Sequence, residues 1–183
     1  IVFFWSDHGA GLSRCKRWVY DSGTHVPVMV RIPEKLRREG QGIPGTVEER
    51  LISSVDFAPT VLNLAGLPIP TYMQGRPFLG ANLPPEREYV YAGRDRMDER
   101  YDCIRMVRDK KFHYIRNYEP FKPYDQYMDY EAASPVKKEL HRLAKEGALP
   151  EGAAWVTRAT KPVEELYDTD ADPFELTNLA QTP

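Results

Sequence analysis

Asp7 and His8 stand directly after the apolar run Ile1-Val2-Phe3-Phe4-Trp5 and directly before Gly9. A buried strand can hold a carboxylate and a neighbouring imidazole rigidly at its carboxyl end. A glycine there lets the backbone turn away and leaves room for an ion or ligand. The Asp7 oxygens suit a hard cation, Ca²⁺ or with less preference Mg²⁺, whereas an imidazole such as His8 is commoner on transition metals. The plain alternative is a strand-end turn with Asp7 as a cap and His8 on the surface. Lys16 lies between Arg14 and Arg17, a cluster able to hold an anion as point charges or to form a solvated basic turn. His25 precedes the β-rich run Val26–Ile32 and so returns to the edge that carries Asp7. Arg94 and Arg96 sit in the mixed-charge stretch Arg94-Asp95-Arg96-Met97-Asp98-Glu99-Arg100, expected as a loop. Their guanidinium groups can grip a sulfated or carboxylated ligand in a bidentate way, or simply pair with their acidic neighbours. The aromatic residues from Tyr114 to Tyr130 can stack on sugar rings or serve as ordinary packing.

The elements that must position these groups follow from the apolar pattern. Residues 1–5 read as a buried strand, and Val26–Ile32 as a second one closed by Pro33, with Pro27 confined to an edge or to the first residues. Two such strands joined by a long polar loop fit the carboxyl edge of an α/β sheet, where ligands bind. Apolar residues at 57, 58, 61, 62 and 65 give the helical period, with Asp56 as N-cap, Pro59 in the first turn and Gly66 as the stop. Residues 67–85 read as a Pro- and Gly-rich wrapping loop and Glu88–Ala92 as a short strand. Cys103–Arg108 and Lys111–Arg116 alternate as a hairpin. Val136–Lys145 reads as an amphipathic helix, Glu164–Asp168 as a last strand, and Phe174–Ala180 as a short helix. Residues 1–85 therefore look like part of a larger α/β domain, and residues 86–183 like a small α+β unit with an antiparallel sheet. A chain that opens in mid-strand suggests missing upstream residues, and its uncovered apolar face predicts self-association.

Composition narrows the function classes. The 183 residues are 42% hydrophobic and 28% charged with net charge −2, an ordinary globular balance with no field that would draw nucleic acid or an anionic membrane. No apolar run approaches the ~20 residues of a membrane span. Cys15 and Cys103 are too few and too far apart for a metal knuckle or a disulfide framework. The chain has no P-loop, no dinucleotide fingerprint, no nucleophile elbow and no His-Glu-x-x-His. It also has no Cys/Ser-x-Pro-x-Arg.

Phe3-Phe4-Trp5-Ser6-Asp7-His8-Gly9, then Lys16, then Tyr20-Asp21-Ser22-Gly23-Thr24-His25-Val26-Pro27 resemble a block of the sulfatase family. So do Val55–Leu62, Met73-Gln74-Gly75-Arg76, Glu165-Leu166-Tyr167-Asp168, Asp172-Pro173-Phe174-Glu175 and Asn178-Leu179-Ala180. The resemblance covers nearly the whole chain and implies the alkaline-phosphatase-like α/β sandwich with a small C-terminal α+β subdomain. It implies that Asp7 and His8 are ligands of Ca²⁺, that Lys16 contacts sulfate oxygens, and that a formylglycine nucleophile lies upstream. It implies hydrolysis of sulfate esters by the complete protein, with a sulfated small molecule or carbohydrate as partner and a periplasmic or extracellular location. This chain alone should be inactive. Three positions depart from the family: His8 replaces the commoner Asn, Asp21 the usual Glu, and His25 the usual Arg. Two other readings remain: a phosphodiesterase or phosphonate monoester hydrolase of the same superfamily, and a non-catalytic carbohydrate-binding fragment.

Overall fold

The protein was analysed as a computed structural model, which describes residues 1–181. In chain order the elements are β1 (Val2–Trp5), α1 (Asp21–Thr24), β2 (Val28–Arg31), α2 (Phe57–Leu64), β3 (Val90–Met97), β4 (Arg100–Arg108), β5 (Phe112–Asn117), α3 (Asp129–Ala132), α4 (Pro135–Lys145) and β6 (Glu164–Asp168). The chain forms two compact units: Ile1–Trp5 with Pro27–Val90, and Ser6–Val26 with Tyr91–Pro183. The segment 6–26 thus packs with the second unit, although the sequence groups it with residues 1–85.

In the first unit β1 and β2 pair antiparallel, from Val2 opposite Arg31 to Trp5 opposite Val28. The expected burial of β1 does not hold: Val2, Phe4 and Trp5 are 57%, 61% and 47% exposed. Two paired strands cannot cover both of their faces, and from β1 the Trp5 ring packs edge-on against Phe57 at 5.1 Å. The expected helix is α2, and Asp56 stands at its N-cap position, but its side chain does not cap the helix. Its carboxylate accepts the Ser53 N–H at 2.8 Å and the Arg76 N–H at 2.7 Å, and pairs with Arg87. This buried hub ties the helix start to the loop that follows it. Gly75 is required there, because a Cβ would lie 1.9 Å from the Val55 carbonyl oxygen.

The second unit contains a four-stranded sheet in the order β3-β4-β5-β6. β4 and β5 pair antiparallel from Ile104 opposite Asn117 to Arg108 opposite His113, confirming the expected hairpin. β5 and β6 pair antiparallel from Phe112 opposite Asp168 to Arg116 opposite Glu164. Inward residues Ile104, Met106, Ile115 and Tyr167 form the core with Tyr124 and with Trp18-Val19-Tyr20. Within this core Glu165 is 1% exposed, yet all its acceptor capacity is used. It accepts O–H groups from Tyr20 at 2.7 Å, Tyr167 at 2.6 Å and Tyr124 at 3.1 Å, and an N–H of Asn117 at 2.6 Å. Burial first, then the Glu165 charge, pushes all three tyrosines above the ordinary phenol range.

Two expectations are corrected here. β3 extends to Met97, so Arg94 and Arg96 lie on a strand rather than a loop. Residues 174–178 are irregular, and only Leu179–Gln181 is a short 3-10 helix. The Asp172 carboxylate takes the N–H groups of Leu176 and Thr177, and Asn178 takes those of Leu166 and Ala180. Such side-chain bonds compete directly with helix formation.

Candidate functional site

The chemistry-bearing residues gather on the segment 6–26, within the second unit. Gly9 permits the segment to fold on itself: its N–H reaches the Gly23 carbonyl at 3.1 Å, and a Cβ would stand 1.9 Å from the Ser22 oxygen. This crossing presents Asp7 and His8. The Asp7 side chain is 84% exposed. His8 Nδ1 lies 2.7 Å from the Gly9 carbonyl oxygen, an arrangement that needs the proton on Nδ1. Nε2 then carries the lone pair and lies 3.7 Å from Asp7 Oδ1. Two acceptor atoms at that spacing repel one another unless a cation or a second ring proton lies between them. The donor set of one carboxylate oxygen and one imidazole nitrogen therefore fits a bound metal ion.

Lys16 differs from its two basic neighbours. Arg14 is folded over the Tyr20 ring at 3.8 Å and donates to the carbonyls of Phe174 and Glu175. Arg17 pairs with Asp98 at 2.5 Å and Glu131 at 3.7 Å. Both arginines adopt left-handed backbone angles, φ 63° and 73°. Such strain is tolerated where surrounding contacts over-determine the conformation. The Lys16 ammonium meets Tyr130, with Nζ 3.3 Å from the hydroxyl and 4.9 Å from the ring centre. Among the described residues no carboxylate pairs with it.

His25 is 75% exposed along its side chain, and its Nδ1 is 3.7 Å from Asp21 Oδ2. Asp21 belongs to a buried charged knot. Arg108 holds both its oxygens at 2.8 Å, His113 Nδ1 lies 3.4 Å away, and the Asp21 N–H donates to Glu175 at 2.9 Å. Burial alone would raise the Asp21 pKa, but the bonds from His113, His25 and Arg108 outweigh it and hold the carboxyl well below the usual range. Burial alone would lower the His113 pKa, yet Asp21 and Glu175 outweigh it and raise it.

Asp21, His113 and Glu175 bring three metal-ligand atoms within 4.8 Å of one another. The contacts favour a proton over an ion. His113 Nδ1 and Glu175 Oε1 are 2.5 Å apart, closer than two ligands of one metal stand, and Arg108 already neutralises Asp21. The approach is short but too bent to be a good hydrogen bond. It is best described as a buried ion pair.

The two remaining candidates diverge. Arg96 is exposed and donates to the Asp98 carbonyl at 3.0 Å. Arg94 is 3% exposed, stacked over the Trp18 ring at 4.2 Å, with Nε and Nη1 unpartnered. The structure therefore brings Asp7 to His8, Lys16 to Tyr130 and His25 to Asp21, while Arg94 enters the core. Sequence reasoning did not single out Arg108, His113, Glu165 or Tyr130 individually. Glu165 and Glu175 fall within recognisable C-terminal text, but nothing in their spacing announces a buried acceptor.

Comparison with known proteins defines the class. The family described as N-sulphoglucosamine sulphohydrolase, C-terminal, matches residues 14–148. An ulvan-active sulfatase of Formosa agariphila is 48% identical over the whole chain, which covers 30% of that relative. The N-sulphoglucosamine sulphohydrolase of Homo sapiens is 27% identical over the whole chain, which covers 38% of it. A solved 2-O GAG sulfatase superposes with TM-score 0.54 and 22% identity over 90% of this chain and 27% of its own, so the fold is shared. The chain belongs to the sulfatase family and matches the family's C-terminal portion. It spans about a third of the length of these curated relatives.

Proposed function

We propose that the longer protein hydrolyses sulfate esters of a carbohydrate, and that this chain supplies the cation edge and one sulfate contact of its site. The observation that carries this reading is the pairing of roles on one segment. Asp7 and His8 offer two facing acceptors for a cation, and Lys16 offers an ammonium with no carboxylate partner. Asp7 would be the charged Ca²⁺ ligand, with Mg²⁺ second, and His8 the neutral one. A Ca²⁺ ion there would stabilise negative charge on sulfate oxygens. Lys16 would add a fixed positive charge to the same oxygens. A formylglycine contributed from outside this chain would supply the nucleophile, so the chain by itself is inactive. His25 and the exposed Arg96 would face the sugar. Arg94, buried over the Trp18 ring, would support that residue from beneath rather than touch the sugar.

A sulfated sugar is favoured because the names of the relatives concern sulfated glycans and because Tyr101, Tyr118, Phe121, Tyr127 and Tyr130 are exposed. The family resemblance supports a periplasmic or extracellular location. No helix among the described residues is long and apolar enough to cross a membrane. Residues 1–85 would belong to the catalytic domain and 86–183 to the small subdomain. The exposed Val2, Phe4, Trp5 and Met29 support membership of the first part in a larger sheet that would cover them, whereas residues 6–26 pack with the second unit. Expressed alone, the chain should self-associate through that face.

The test is release of sulfate and of phosphate by the longer protein from matched sulfated and phosphorylated monosaccharides. Preferential sulfate release, removed by a chelator and restored by Ca²⁺, is expected. Preferential phosphate release would move the assignment to the phosphoester hydrolases.

A further inference from the structure

The geometry points to Tyr130 as a second hydrogen-bond donor to the anion that Lys16 holds, making this tyrosine a specificity-determining residue of the sulfate subsite; the inference rests on the sulfatase reading. Tyr130 lies on α3, far along the chain from Lys16, and its ring is 62% exposed. A side chain so exposed has no packing reason to be held in place, yet its surroundings are built. The ring lies under Lys16 at 4.9 Å and under the Arg17 guanidinium at 4.5 Å. The neighbouring Glu131 ties α3 to Arg17 at 3.7 Å on one side and to Lys137 of α4 at 2.5 Å on the other. Met128, just before α3, is 3% exposed and receives an Arg17 N–H at 3.6 Å from its sulfur.

These contacts fix the Tyr130 hydroxyl against Lys16 and leave its chemistry unfinished. The Lys16 ammonium is a donor only, so the hydroxyl oxygen accepts from it at 3.3 Å. The hydroxyl proton has no acceptor among the described residues. Lys16 keeps two further N–H groups and an uncompensated charge. An anionic oxygen placed beside Nζ can receive a proton from each group, and charge-assisted bonds of this kind are the stronger ones. Arg17 does not compete for the anion because Asp98 and Glu131 neutralise it. A positive ammonium next to the phenol also polarises its O–H toward an anion. Tyr130 would therefore contact the sulfate, and would hold Lys16 in place through the oxygen it presents.

The experiment is calorimetric titration of the longer protein with glucosamine 6-sulfate, and with unsulfated glucosamine as reference. The proteins are wild type, Lys16→Ala, Tyr130→Phe and, as a control from another exposed position, Tyr118→Phe. Tyr130→Phe keeps the ring and its cation contacts and removes only the hydroxyl. Sulfate-dependent binding should vanish in Lys16→Ala, weaken about three- to tenfold in Tyr130→Phe, and stay unchanged in Tyr118→Phe. Binding that depends on Lys16 but is equal in Tyr130→Phe and wild type would overturn the role of Tyr130 and leave the sulfatase reading standing. Absence of any Lys16-dependent binding would overturn both. A fall in unsulfated glucosamine binding of the same size in Tyr130→Phe would show a sugar contact rather than an anion contact, and would also overturn the inference.

Discussion

The root and the rim of the segment 6–26 are built on opposite rules. At the root, Trp18, Val19 and Tyr20 are buried, the Tyr20 hydroxyl ends on Glu165, and Asp21 is enclosed by Arg108, His113 and Glu175. At the rim, Asp7 and His25 are exposed, His8 directs a lone pair at Asp7, and Lys16 has only a hydroxyl beside it. The root pairs its charges with one another inside the protein, and at the rim Asp7, His8 and Lys16 keep capacity for a ligand. A site that must recognise an ion and an anion needs this division, because a group already paired within the protein has nothing to offer a ligand, and an unanchored loop cannot hold its ligand atoms to the ~0.5 Å that function demands.

The contrast can be broken at the root first. Glu165→Ala should have the largest effect. It strands three tyrosine hydroxyls and the Asn117 amide in the core, at a cost on the order of 4 kcal/mol, measured as loss of urea stability. Asp21→Asn should follow at about 3 kcal/mol, because it leaves Arg108 and His113 as buried charges with a weaker partner. A smaller effect should appear with pH. The His113 pKa is raised in the folded state above its ordinary 6.5. Its stabilisation is therefore complete below that value and is lost as pH rises through the raised one. The urea midpoint of the wild type should fall as pH increases above neutrality, and His113→Gln should flatten that slope. At the rim, Asp7→Asn and Lys16→Ala should each shift the thermal midpoint by less than about 2 °C, since exposed side chains with long, solvent-accessible contacts contribute little to stability.

The sequence made the rim easier to read than the root. Asp7, His8, Lys16 and His25 are short-range features: a strand end, a glycine, a basic cluster and the start of a second strand. The hairpin β4–β5 and the helices α2 and α4 were legible for the same reason, because their periods are local. The root depends on contacts between residues far apart in sequence, such as Tyr20 with Glu165 and Asp21 with Glu175. A Glu beside another Glu in a short strand, as Glu165 is, or in an irregular C-terminal segment, as Glu175 is, reads as solvent-facing, so neither carboxylate declared itself as buried. Arg94 was misread for a related reason. Its flanking charges suggested a surface loop, whereas stacking on Trp18 draws its guanidinium inward along β3. The uncovered face of β1 was legible too, because five consecutive apolar residues at the start of a half-sheet call for a covering layer that this chain does not supply.

The most direct measurement is sulfate release by the longer protein carrying Asp7→Asn, assayed beside its thermal midpoint. The expected result is a fall of at least about a hundredfold in sulfate release, with the midpoint unchanged within ~2 °C. Activity retained within a few-fold would contradict the placing of Asp7 and His8 at the cation edge of a sulfatase site.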